Sequence, residues 1–165
     1  MKYYLGLGSN LGDSQAHLRR ALERIEQKKL GKVLARSSLY LTEPKGGPEQ
    51  PEFVNAAAVV ESALEPEAML KALLSIESEL GRSRRRGERN FPRPIDLDIL
   101  LVDDKIIRGP EITVPHPRMR ERRFALAPLA EIAGAAVDPE LKKTISEILA
   151  GLQDRSRVKK LDEKL

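Results

Sequence analysis

Apolar and polar positions alternate with period two from Tyr3 through Leu5 to Leu7, which predicts a half-buried strand at the start of the chain. A turn follows, Gly8-Ser9-Asn10-Leu11-Gly12-Asp13-Ser14, and ends in residues that cap helix N-termini. The period then becomes 3.6: Leu18, Ala21, Leu22 and Ile25 predict a helix closing near Gly31. Residues 33–41 read as a second strand. Residues 42–51 can be neither helix nor central strand, because Pro44, Pro48 and Pro51 remove donors and fix φ. A third strand over 53–61 puts Phe53, Asn55, Ala57 and Val59 on one face. Pro66 opens a second helix with the stripe Met69, Ala72, Leu73, Ile76 and Leu80, and Gly81 ends it.

Residues 95–102 predict a fourth strand, and Asp103-Asp104 a tight turn into a short hairpin strand at Ile106-Ile107. Residues 112–117 are extended, and 119–133 are helical with Pro128 bending the helix. Ile145, Ile148, Leu149 and Leu152 mark a last helix. The β-α-β-β-α-β order over the first 102 residues predicts an α+β fold: a ferredoxin-like core with an antiparallel sheet and helices on one face. The other face is left to loops, the C-terminal part or a ligand, and the C-terminal part adds a hairpin strand and helices. Residues 1–153 form a single catalytic domain on this reading, and 154–165 a charged tail expected to be loosely held.

Composition narrows the class. At 165 residues with 41% apolar and 33% charged residues, the chain is one globular domain. No apolar run approaches the roughly 20 residues of a membrane span, and the N-terminus is too short in apolar residues for a signal peptide. The absence of cysteine excludes disulfides and thiolate sites and fits a reducing cytoplasm. Two histidines leave no His-rich metal centre. A pI near 9.4 points to an anionic partner.

That charge is concentrated. Segment 82–93 holds Arg82, Arg84, Arg85, Arg86, Arg89 and Arg93 against Glu88, a net +5, where the whole chain is +4. Arginine without lysine favours bidentate recognition of phosphate oxygens, and the surrounding glycine and proline suggest a loop that closes over substrate. The next strand places Asp96 and Asp98 on one face, with Ile95, Leu97 and Ile99 on the other. Paired carboxylates repel unless cations sit between them, and hard oxygen ligands suit Mg²⁺ carried with a polyphosphate. The glycine-rich turn at residues 6–12 lacks the phosphate-loop and dinucleotide patterns and reads as a helix start. His17 falls on an exposed helix position. His116, between two prolines and ahead of Arg118, Arg120, Arg122 and Arg123, can donate to phosphate. Phe53 and Phe124 can pack in the core or sandwich a flat ring, with Asn55 reading its amide edge.

Gly8-Ser9-Asn10-Leu11-Gly12, Gln50-Pro51 with Phe53 and Asn55-Ala56-Ala57, Pro92-Arg93-Pro94-Ile95-Asp96-Leu97-Asp98-Ile99-Leu100, and Val114-Pro115-His116-Pro117-Arg118-Met119 with Arg122 and Phe124 occur in that order. Together they resemble the 6-hydroxymethyl-7,8-dihydropterin pyrophosphokinases of folate biosynthesis. The resemblance implies transfer of the diphosphate of ATP, the co-substrate, to the hydroxymethyl group of 6-hydroxymethyl-7,8-dihydropterin, with release of AMP. It implies two Mg²⁺ ions on Asp96 and Asp98, and catalytic roles for those acids and for Arg82 and Arg93. The pterin would lie between Phe53 and Phe124, read by Asn55 and by Thr42, Pro44 and Lys45. ATP would meet Arg84, Arg89, Ile99, Thr113, His116 and Arg122. A cytoplasmic monomer that uses neither nucleic acid nor membrane is implied. The chain departs from relatives in having Phe53 where some carry tyrosine, Asn90 where many carry tryptophan, Glu111 where some carry a basic residue, and one extra residue in the arginine loop.

Two other readings compete. A small basic ferredoxin-like module could dock RNA on its sheet, but Asp96 and Asp98 would repel phosphate there. Another two-metal nucleotidyl transferase would share the acids without needing Phe53, Asn55 and Phe124 to converge.

Overall fold

Strand β1 (Lys2–Ser9) takes up the period-two pattern and lies in the interior of the main sheet. In the computed structural model, which describes residues 1–44, 49–81 and 93–165, it is followed by α1 (Ser14–Gln27), β2 (Lys32–Arg36), β3 (Ser38–Thr42), β4 (Phe53–Glu61), α2 (Pro66–Glu79) and β5 (Asp96–Val102). Then come β6 (Ile107–Arg108), β7 (Thr113–Val114), a 3-10 turn at Met119–Glu121, α3 (Arg123–Ala133), β8 (Val137–Asp138), β9 (Lys143–Thr144), α4 (Ile145–Ala150) and β10 (Val158–Lys164).

The main sheet runs β10-β3-β4-β1-β5, with β2 also paired to β4, and its pairings are antiparallel. The molecule is thus a mixed fold of helices on an antiparallel sheet. Alternation along β4 and β5 sorts side chains to two sides. Val54, Ala56, Ala58, Val60, Leu97 and Ile99 join Leu18, Leu22, Ile25, Met69, Leu73 and Ile76 of α1 and α2 in one core. Ala57, Leu100 and Leu101 pack on the other side with Leu126 and Leu129 of α3 and Ile145 and Ile148 of α4. The second face is therefore covered by the C-terminal helices, and the site opens beside them.

Local chemistry explains the helix ends. Asp13 caps α1, its carboxylate accepting from the Ala16 amide at 3.2 Å. Leu18 and Leu22 are fully buried, each contributing about 1.5–3 kcal/mol by leaving water. Pro66 stands in the first turn of α2, and Gly81, at φ +94, takes the left-handed conformation beyond its end. Thr144 and Glu147 form a capping box on α4.

Three expectations are corrected. The strand expected over 33–41 is two strands, because the Ser37 hydroxyl, rather than a ladder carbonyl, accepts from the Ala57 amide at 2.8 Å and shifts the chain. The turn at Asp103 forms, with φ +45, but Ile107 pairs with Val114 of β7 and not with β5. The chain beyond β7 lies along β5, where the His116 amide donates to the Leu100 carbonyl at 2.9 Å. The tail expected to be loose carries β10, paired to β3, with Leu165 buried in the core. Its lysines stand on a sheet edge, where charge blocks further strand addition. The β8–β9 hairpin has no strong apolar alternation and went unforeseen. Among the described residues no helix is long and apolar enough to cross a membrane.

Candidate active site

Two glycines open the sheet where the acids stand. On β1, Gly8 pairs with Asp96 of β5 on one side and Asn55 of β4 on the other, and Gly6 pairs with Asp98 and Ala57. With no side chains on β1 at these positions, a pocket of about 310 Å³ reaches the sheet surface. Asp96, Asp98, Phe53, Asn55, Arg93 and Phe124 all line it. Thr42 does too, accepting a hydrogen bond from the Asn55 amide at 2.6 Å. A Cβ on Gly8 would stand 2.6 Å from Asn55 Oδ1, so the glycine is what lets that amide lie flat on the sheet.

Each aromatic wall carries an arginine. The Arg93 guanidinium lies 5.0 Å from the Phe53 ring centre, and that of Arg122 lies 5.4 Å from Phe124, both cation–π distances. Arg93 Nε is also 3.5 Å from Asp96 Oδ2. Burial pushes the Arg122 guanidinium pKa below its ordinary value, and neighbouring Arg118 and Arg93 add to this against the opposing pull of Asp98 and Asp96. Arginine stays charged at that height, so the pocket concentrates cations that an anion would relieve. On α3, the interior Pro128 has no amide to offer the carbonyl four residues back, which belongs to Phe124.

His116 is half-buried. Its Nδ1 accepts from the Arg118 amide at 3.2 Å, which leaves the proton of the neutral ring on Nε2. Burial, followed by the Arg122 charge, holds its pKa below the ordinary histidine value, with Asp96 pulling the other way. A neutral ring with its proton on Nε2 is a donor suited to phosphate oxygen.

Sequence reasoning missed three contributors. Asn10, almost wholly buried, exchanges hydrogen bonds with the Arg93 main chain (2.9 and 3.1 Å). Its amide also donates to Gln50 Oε1 at 2.8 Å and the Pro51 carbonyl at 3.0 Å, so it joins the root of Arg93 to the loop before Phe53. Glu77, 2% exposed on α2, accepts from the Leu97 amide at 2.7 Å, between the two acids of β5. Its place on the apolar stripe, four residues after Leu73, was the signal. Arg118 lines the pocket, and the sequence showed it as one of a basic cluster and of the 114–119 motif without giving it a role.

Other expected residues fall elsewhere. Ile99 packs in the core on the opposite side of β5, His17 is half-buried rather than exposed, and Thr113 is exposed on β7, not among the pocket residues. Pro44 is half-buried at the edge of the loop. Lys45, Arg82, Arg84 and Arg89 lie outside the described residues. Among the described residues no cluster of three or more metal-binding side chains occurs. Two carboxylates on one sheet face fit Mg²⁺ that arrives with a polyphosphate, and do not fit an ion caged by protein alone.

Residues 4–134 match the family model of 7,8-dihydro-6-hydroxymethylpterin-pyrophosphokinase (HPPK). The chain is 45% identical over 129 residues to a 2-amino-4-hydroxy-6-hydroxymethyldihydropteridine pyrophosphokinase of Bacillus subtilis, covering 78% of this chain and 76% of that one. It is 41% identical over 162 residues to the enzyme of that name from Methylorubrum extorquens, covering 96% and 98%. A crystal structure of Plasmodium falciparum HPPK-DHPS superposes with a TM-score of 0.72 at 16% identity, over 90% of this chain and 45% of that one, a likeness of fold. The chain belongs to the 7,8-dihydro-6-hydroxymethylpterin-pyrophosphokinase family of enzymes.

Proposed function

We propose that this protein transfers the diphosphate of ATP to the hydroxymethyl oxygen of 6-hydroxymethyl-7,8-dihydropterin, releasing AMP, as a step of folate biosynthesis, and that its core is the ferredoxin-like arrangement expected from the element order. The observation that carries the reading is the sheet row Asn55–Gly8–Asp96, flanked by Phe53 and Phe124. One end of the row suits a flat amide-edged ring, and the other suits a polyphosphate.

The hydroxymethyl oxygen gives up its proton to solvent and forms a bond to the β-phosphorus, the bond from that phosphorus to the αβ-bridging oxygen breaks, and AMP leaves with that oxygen. Phe53 and Phe124 stack the pterin, and Asn55, oriented by Thr42, hydrogen-bonds its amide edge. Asp96 and Asp98 would hold two Mg²⁺ ions, whose chemistry is to neutralise the polyphosphate and lower the pKa of the attacking hydroxyl. Arg93 and Arg122 neutralise charge developing on the transferred group and the departing oxygen. His116 Nε2–H donates to a phosphate oxygen. Arg82, Arg84 and Arg89, as the family resemblance implies, would meet the phosphates.

Incubation with Mg²⁺-ATP, with and without the pterin, followed by separation of nucleotides, tests this. AMP formed only in the presence of pterin is the expected result. ADP, or no turnover, would refute it.

A further inference from the structure

The segment after α4 bonds to the residues next to both aromatic walls of the pocket. Asp154 Oδ2 accepts from the Arg123 amide at 3.3 Å, at the first residue of α3 and next to Phe124. The Ser156 carbonyl accepts from the Arg123 guanidinium at 3.4 Å. Asp154 Oδ1 takes the Ser156 amide at 2.9 Å and also its hydroxyl, which folds the segment on itself. The Arg157 amide then donates to Glu43 Oε1 at 2.9 Å, and its guanidinium pairs with Glu52 Oε1 at 2.7 Å, next to Phe53. Val158 pairs with Thr42, the acceptor for the Asn55 amide. Glu43 and Thr42 themselves line the pocket.

Within five residues, the chain thus bonds to the neighbour of each aromatic and to the strand end that orients Asn55. These contacts have separate physical grounds. α3 has no side-chain cap of its own, and a carboxylate at its first amide satisfies an orphan donor and suits the positive end of the helix. Glu43 and Glu52 flank the loop before β4, so one arginine residue holds both sides of it. The segment also lies past residue 134, where the family match ends.

We infer that Asp154–Arg157 is a positioning strap that fixes the spacing of the Phe53 and Phe124 walls, so that the pterin meets a preformed slot. This rests on the pterin reading proposed above. Fixing the walls before binding lowers the ordering cost of binding, and the gain falls on the flat ring and not on the nucleotide.

The test titrates 6-hydroxymethylpterin into the full chain saturated with Mg²⁺ and a non-hydrolysable ATP analogue, with the analogue titrated separately. The Arg157–Glu52 pair is solvent-exposed, so Arg157→Ala is expected to weaken pterin binding about threefold, and Asp154→Ala with Arg157→Ala about tenfold. Analogue affinity stays within about twofold, since exposed pairs remote from phosphate contribute little there, and Arg157→Lys restores pterin binding. Unchanged pterin affinity in Arg157→Ala overturns the inference, as does a parallel loss of pterin and analogue binding with a lowered melting temperature. If the double variant does not fold, Arg157→Ala and Arg157→Lys decide alone. Failure of the wild-type chain to bind pterin would instead refute the functional reading.

Discussion

Asn55 and Asp96 lie in one transverse row of the sheet, on opposite sides of Gly8, to which both are paired. Two strand spacings separate their backbones, about 10 Å. On the reading proposed above, the acceptor ring and the transferred phosphorus lie across that span. Antiparallel pairing, which is rigid because slipping by one residue would flip every side chain, sets this span. On that reading, strand register spaces the two ends of the reaction.

Gly8→Ala should therefore damage acceptor binding first. The new methyl would stand 2.6 Å from Asn55 Oδ1 and 3.8 Å from Phe53 Cδ1. Asn55 has to move off Thr42, losing a buried hydrogen bond worth about 1–3 kcal/mol when a partner is left unsatisfied. Pterin affinity should fall about tenfold or more, with ATP-analogue affinity nearly unchanged. Equal losses for both ligands would show that the methyl disturbs the sheet as a whole.

Asp96→Ala and Asp98→Ala should each lose turnover by about 10³-fold or more, because several kcal/mol of charge stabilisation depends on the pair. Folding should survive. Melting followed by circular dichroism in chelator should show a cooperative transition for both variants. Near-normal turnover in either variant would remove the metal assignment.

Arg93 stands between Asp96 and the Phe53 ring, its backbone held by Asn10. Arg93→Ala should lower kcat about 10²–10³-fold, the usual loss when one donor to developing charge is removed. ATP-analogue affinity should change little. Arg93→Lys should recover only part of the rate, since a lysine keeps the charge and loses the planar fork. A loss confined to ATP affinity would contradict a role in the transition state.

Legibility followed the range of the forces involved. The ends of β4 match the expectation for 53–61, because alternation and flanking polar residues act within the strand itself. The stop at Gly81 was equally local. The role of Asn10 was hidden because its partners lie 40 and 83 residues away, and no pattern around Asn10 encodes them. β10 was hidden for a different reason: lysines and acids that suit a guarded sheet edge are the residues of a solvated tail. That Phe53, Asn55, Asp96 and Asp98 line one pocket was legible because each sits on a face that strand period alone assigns. The arginines of the 82–92 segment carry no such periodicity.

His116 gives a pH signature. Burial and Arg122 hold its folded pKa below the unfolded value of 6.5. Between those two values the unfolded chain binds more protons, so stability rises with pH there. The contribution is complete above 6.5 and is lost as pH falls toward the folded pKa. Urea unfolding of the metal-free protein between about pH 7.5 and 5.5, where histidine is the main titrating side chain, should show this decline. His116→Asn should flatten it. Identical slopes would mean that the ring is not held neutral by its surroundings.

The pair Arg120–Asp138 makes a second pH prediction, at lower pH. Arg120 Nε and NH2 reach the two Asp138 oxygens at 2.6 and 2.9 Å, and the amides of Glu140 and Leu141 add bonds at 2.9 and 3.1 Å. Burial of the fully enclosed carboxylate works against ionisation, but the arginine and the two amides outweigh it and leave the pKa below the ordinary 3.8. The pair pegs the 3-10 turn between Arg118 and Arg122 to the β8–β9 hairpin, so it supports the cationic side of the pocket from behind. Asp138→Asn should cost about 3 kcal/mol at neutral pH, the low end for breaking a buried pair, because Arg120 retains some access to water. A depressed carboxylate pKa means stability that is full above 3.8 and is lost as pH falls through the folded value. The stability gap between wild type and Asp138→Asn should therefore stay constant from neutral pH down to about pH 4 and narrow below it. Unfolding by urea at a series of pH values measures the gap. A gap that is absent at neutral pH would show that the pair contributes nothing net. One that persists unchanged well below the ordinary aspartate range would show that packing, and not the ionised carboxylate, holds the hairpin to the turn.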